Sequence, residues 1–255
     1  MVIDAHVHVG QGAYKQQSVE GLLREMDACG VDRAVICPVE EQIVYYNREG
    51  NQAMLRYQQA HPDRLIGYAV ANPWSGQAGV NELLRALEAG LQGVKFNSSI
   101  QGFFIHDTIV HPLIAVAREY GVPVYFHCGT PIYAQPFQLR ELSLEFPQVN
   151  FILGHAGYAD SWTDVIPATV DRPNIYLETS HTAVAVLRGA MDRLGYKRMI
   201  FGSNTPVNSI DVECEKWRLM HMEAEIEQAI MGDNYLNMVQ ESAARRNSLE
   251  ERRTE

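Results

Sequence analysis

The sequence has little of what marks several large protein classes. It has four cysteines in 255 residues, Cys29, Cys37, Cys128 and Cys214, widely scattered and with no CxxC pair. A chain this long needs no disulfide framework, so reduced thiols in a cytoplasmic compartment are the expectation. No apolar run approaches the ~18 residues of a membrane span. The N-terminus lacks a basic region followed by a long apolar stretch, so no secretory leader is expected. Positive charge is also short: 21 Lys and Arg stand against 31 Asp and Glu, a net charge of −10. Without a basic run such a chain is ill suited to follow a phosphate backbone, and nucleic acid is not an expected partner.

What the chain does have is an ordinary core composition, 46% hydrophobic and 20% charged, arranged in alternating runs. Short stretches rich in Val, Ile, Phe and Tyr read as strands: VIDAHVHV from Val2, RAVICPV from Arg33, LIGYAV from Leu65, GVKFN from Gly93, PVYFHCG from Pro123, NFILGHAG from Asn150, NIYLETS from Asn174 and RMIFGSN from Arg198. Helical patterns lie between them. In SVEGLLREMDACG, Ser18 is placed to cap, Val19, Leu22, Leu23 and Met26 form the apolar stripe, and Gly30 ends it. Eight strands alternating with helices predict parallel βα units. The fold expected is α/β, a single (β/α)8 TIM barrel over residues 1–239 with extra C-terminal helices. Residues 240–255 are highly charged and read as a frayed tail.

Polar residues concentrate where these strands end. His6 and His8 are two apart on one strand and so share a face with Asp4, while Val7 and Val9 turn toward the helix layer. Two imidazoles side by side can hold a divalent cation. His127, His155 and Asn204 end three later strands, and in a barrel these ends converge on the face that carries active sites. Lys95 has the inward parity on the fourth strand. It reads as a substrate-binding residue or as the partner of an internal acid such as Glu178. Cys128 points outward, and His181 reads as a solvated loop residue at the mouth.

In order and spacing, DAHVH, GVKFN, VYFHCGT, ILGHAG, YLETS and IFGSNTP resemble the amidohydrolase superfamily, specifically its amidohydrolase-related group of hydrolases and decarboxylases. The resemblance implies a metal held by His6, His8 and His127. It makes His155 a further ligand in two-metal members, where Lys95 would be a carboxylated bridge, or an acid/base beside a single metal. One divalent ion is expected, Zn2+ by its fit to imidazole, with Mn2+ or Fe2+ as alternatives.

The group's pattern in the eighth strand ends in an Asp that handles the proton of the attacking water. Here it is Asn204, which cannot accept a proton near neutral pH. General acid–base help is worth ~10²–10⁴ in rate, so hydrolysis should suffer. Asn204 reads as an engineered substitution, as a natural loss of catalysis, or as an orienting group with His155 as the proton carrier. Three functions follow: a metal-dependent hydrolase of a small amide, ester or lactone as the first reading, a non-oxidative decarboxylase of a small carboxylic acid as the alternative, and a binding protein on an inherited barrel as the third. The partner expected is a small molecule, with a homo-oligomer as a secondary expectation.

Overall fold

The computed structural model describes residues 1–158 and 161–254, with side chains to residue 248. Eight barrel strands follow one another: β1 (Ile3–His8), β2 (Arg33–Cys37), β3 (Leu65–Gly67, continued by Ala69–Val70), β4 (Val94–Phe96), β5 (Val124–Phe126), β6 (Phe151–Leu153), β7 (Ile175–Glu178) and β8 (Met199–Ile200). Each pairs in parallel with the next, β3 using its first part toward β2 and its second toward β4. The ring closes where the chain beyond β8 meets β1. Ala5 N–H donates to the Phe201 carbonyl at 3.0 Å, Asn204 N–H to His6 at 2.8 Å, and His8 N–H to Thr205 at 2.9 Å. The protein is therefore a (β/α)8 barrel.

Helices fill the connections as their periodicity requires. In the first, Val19–Cys29, the Ser18 hydroxyl accepts from Gly21 N–H, Val19, Leu22 and Met26 are buried, and Gly30 ends it at φ 71°. Val7, Val9 and Cys128 pack in the apolar layer between strands and helices, as alternation predicts. A second cluster, including Ile3, Ala5, Tyr68, Tyr125 and Ile152, fills the other side of the strands.

Two expectations need correction. The register of β1 against β2 shifts between Asp4 and Val7, which breaks the alternation. Asp4 does not join the histidines. It accepts from the Ser203 hydroxyl at 2.5 Å and from Ser203 N–H at 2.9 Å. Nor does fraying begin at residue 240, because a helix runs Asn234–Thr254. The buried Asn150 amide donates to the Met238 carbonyl at 3.0 Å and to Ser242 Oγ at 3.1 Å, and Arg245 donates back to Asn150 Oδ1 at 2.7 Å. A charged composition is compatible with a helix that is pinned on one face.

Candidate active site

The four histidines of the motif gather at the C-terminal mouth of the barrel. His6 and His8, at the end of β1, are each 2% exposed, with ring centroids 5.0 Å apart. His155 lies 5.2 Å from His6 and 4.8 Å from His127. His127 follows β5 directly. His155 sits in the turn after β6 at φ 58°, a left-handed conformation. Its backbone N–H donates to Glu178 Oε2 at 3.2 Å.

Each imidazole nitrogen has a protein partner. His8 Nδ1 faces the Pro38 carbonyl at 2.8 Å and Nε2 faces Lys15 Nζ at 3.2 Å. His6 Nδ1 meets the Tyr125 hydroxyl at 2.9 Å and Nε2 meets Lys95 Nζ at 2.8 Å. His155 Nδ1 meets Ser180 Oγ at 2.7 Å and Nε2 meets His127 Nδ1 at 3.1 Å. His127 Nε2 meets Thr130 Oγ1 at 2.9 Å.

Burial governs the ionisation of this group. Desolvation, followed by the nearby Lys95 amine or a neighbouring imidazole, holds His6 and His127 well below the usual histidine range. Desolvation and then Lys15 do the same to His8. His155 is pulled to about 3 by burial, against the opposing charge of Glu178. Lys95, enclosed and 3.5 Å above the Tyr125 ring, is lowered to about 7, chiefly by desolvation. Burial would raise Glu178, but His155 and hydrogen bonds from Tyr125 and Ser180 hold it below the usual carboxylate value. The site therefore presents neutral imidazoles around one buried anion.

A cavity of about 240 Å³ opens beside the cluster, lined among others by His127, Thr130, His155, Tyr158, His181 and Asn204. His181 is thus part of the site rather than a solvated loop residue. Asn204 Nδ2 donates to His181 Nε2 at 3.0 Å, and Asn204 Oδ1 is buried with no partner. Lys95 has the inward parity expected, but it contacts His6 rather than Glu178 and is not among the cavity-lining residues. Arg140, in the helix Pro136–Glu145, pairs with Asp171 outside the barrel and takes no part in the site. Burial pushes the Cys128 thiol up to about 12, which suits a packing residue. A larger hollow of about 700 Å³ borders the closing helix, away from all of these groups.

The donors suit a divalent ion in kind. The Nε2 atoms of His6 and His8 both accept from lysine amino groups, so both carry lone pairs. The orphaned Asn204 oxygen is a further neutral donor. Two groupings bring possible ligand atoms within 4.8 Å of one another, His6–His8–Cys37 and His6–His155–Glu178. Among the described residues His127 falls in neither, being tied to His155 and Thr130. A cation on the His6 and His8 nitrogens would compete with Lys95 and Lys15.

Several of these residues escape motif reading. Tyr125 and Ser180 were accessible, since each lies two residues from a polar group on its strand and so shares its face. Lys15 was not: it comes from a two-stranded hairpin, Gly10–Gln11 with Gln16–Gln17, and nothing in the sequence says where that hairpin folds.

The amidohydrolase family model matches residues 3–234. No curated protein matches the sequence. Among solved structures, a 2,6-dihydroxybenzoate decarboxylase from Rhizobium aligns with a TM-score of 0.76 at 17% identity, covering 94% of this chain and 98% of that one. A 5-carboxyvanillate decarboxylase from Sphingomonas paucimobilis aligns at 0.74 and 17%, with the same coverage. A dihydroxybenzoic acid decarboxylase from Polaromonas sp. JS666, with bound manganese and 2-nitroresorcinol, aligns at 0.76 and 16%, covering 94% and 96%. At these identities the likeness carries the fold. No helix among the described residues is long and apolar enough to cross a membrane.

Proposed function

The chain belongs to the amidohydrolase family, and on that premise we propose that it is a metal-dependent decarboxylase of a small aromatic or unsaturated carboxylic acid. This reverses the order of the sequence reading, which set hydrolysis first. The observation that carries it is Asn204, whose amide donates to His181 and cannot take a proton. Hydrolysis needs a base to prepare its water. Loss of carbon dioxide needs no prepared water, only a proton for the carbon left behind. The decarboxylases of like fold support the same choice.

In this reading His6, His8 and His127 hold the ion, zinc or manganese, which when bound supplies a Lewis acid to orient the substrate carboxylate. Thr130, Tyr158 and the Asn204 amide offer neutral polar contacts to an oxygen-bearing ring. His155, which lines the cavity beside His127, relays the proton. Lys95 acts behind the site by holding His6. The small-molecule partner, a homo-oligomeric state and a cytoplasmic location belong to the same proposal.

The test is carbon dioxide release from a panel of hydroxybenzoates and carboxyvanillates, run beside acid release from lactones, esters and amides. Turnover confined to the second panel would return the assignment to hydrolysis.

A further inference from the structure

Glu178, the last residue of β7, is fully buried, and its two oxygens are used differently. Oε1 accepts from Ser180 N–H at 2.6 Å, and Oε2 accepts from the Tyr125 hydroxyl at 2.7 Å as well as from His155 N–H. The chain beyond β8 makes room for it: a Cβ at Gly202 would collide with Glu178 Oε1.

An ionised carboxylate only accepts hydrogen bonds. The single proton of Tyr125 is therefore committed to Glu178, and toward His6 Nδ1 the phenol oxygen can only accept. His6 must bring the proton on Nδ1, which leaves Nε2 bare to accept from Lys95. The Ser180 N–H on Oε1 holds the other end of the carboxylate in place, with Ser180 Oγ 2.7 Å from His155 Nδ1.

We propose that Glu178 is a positioning residue that fixes His6 as the Nδ1–H tautomer, through Tyr125, so that it carries an unprotonated Nε2. Partners of this kind orient metal-binding imidazoles and tune them. The inference concerns hydrogen-bond direction, so it stands or falls without any substrate.

The experiment is long-range ¹H–¹⁵N NMR of the histidines in the full-length chain, without and with added Zn2+. His6 should be Nδ1–H, against the Nε2–H preference of free imidazole, and should stay so in Lys95→Met, where no amino group faces Nε2. In Glu178→Gln only one oxygen remains. It stays on the Ser180 N–H at 2.6 Å rather than the His155 N–H at 3.2 Å, so the new NH2 faces Tyr125. The phenol then turns to donate to His6, which switches to Nε2–H when Glu178→Gln is combined with Lys95→Met. Zinc affinity should fall by at least about tenfold from Lys95→Met to the double variant, as for other losses of a ligand-orienting partner. A His6 tautomer unchanged in the double variant would overturn the proposal. Should the double variant fail to fold, Nε2–H at His6 in Lys95→Met overturns it equally, and Nδ1–H there upholds it. Absence of decarboxylation would leave these spectra untouched and would count only against the proposed reaction.

Discussion

Asn204 Nδ2 donates to His181 Nε2 at 3.0 Å, and this bond decides what the residue at 204 does. An amide gives a proton where a carboxylate would take one, so His181 carries its own proton on Nδ1. Asn204→Asp should reverse that bond and move the His181 proton to Nε2. It also adds a negative charge beside the histidines and restores a base. We expect more metal per chain by plasma mass spectrometry and, on any lactone or ester the cavity accepts, a gain of ~10²–10⁴ in hydrolysis. Identical metal content in the two forms would separate position 204 from the cation site.

Lys15 competes for the same imidazole as a metal does. Its Nζ lies 3.2 Å from His8 Nε2 and 3.1 Å from Glu40. Lys15→Met removes the competitor and its positive charge. Because a charge-assisted hydrogen bond is worth ~1.5–3 kcal/mol and ~1.4 kcal/mol is tenfold in affinity, zinc should bind at least roughly tenfold more tightly by calorimetry. Unchanged affinity would mean that His8 is not a ligand.

Acid should weaken the fold before it protonates ordinary carboxylates. His6, His8, His127 and His155 all have lowered values in the folded chain. Their stabilising contribution is complete above the unfolded histidine value of ~6.5 and is lost as pH falls, each by up to about 1.4 kcal/mol per pH unit. Asp4 opposes them: burial raises it to about 7, so it is least destabilising at low pH and costs stability as pH rises toward 7. Four histidines outweigh one aspartate, so the urea midpoint of the metal-free chain should fall from pH 7 to pH 5. Asp4→Asn should steepen that fall. A flat midpoint over this range would contradict the neutral, buried state of the imidazoles.

Asn150→Ala removes three hydrogen bonds that pin the last helix. Leaving buried groups unsatisfied costs roughly 1–3 kcal/mol each. Hydrogen exchange should accelerate in the turns around Met238 and Ser242 while protection of β1 is retained. If the whole barrel lost protection together, the helix would be an integral part of the barrel rather than a separately anchored unit.

Much of this architecture was legible because it rests on local periodicity. The eight apolar runs became the eight strands, and Ser18 and Gly30 bound their helix as such residues do. The convergence of His6, His127 and His155 followed from barrel geometry. What stayed hidden depends on relationships that a single segment does not encode. The irregular register of β1 turned Asp4 to Ser203, and no alternation rule contains a shift. The position of Lys15 depends on how a hairpin packs over the mouth. His127 ends one imidazole away from the His6–His8 pair because its nitrogens are used by His155 and Thr130, a competition visible only in three dimensions. The charged last segment read as a frayed tail because its anchor, Asn150, lies some ninety residues earlier.

The closing seam of the barrel has one further consequence. At position 204 it is the backbone that does the structural work: its N–H bonds the His6 carbonyl, and its φ of 60° suits asparagine, aspartate or glycine. The side chain takes no part in joining the first strand to the last. An exchange of acid for amide there changes one atom at the mouth and leaves the ring intact, so the chemistry of this barrel is free to drift at that position without passing through an unfolded ancestor.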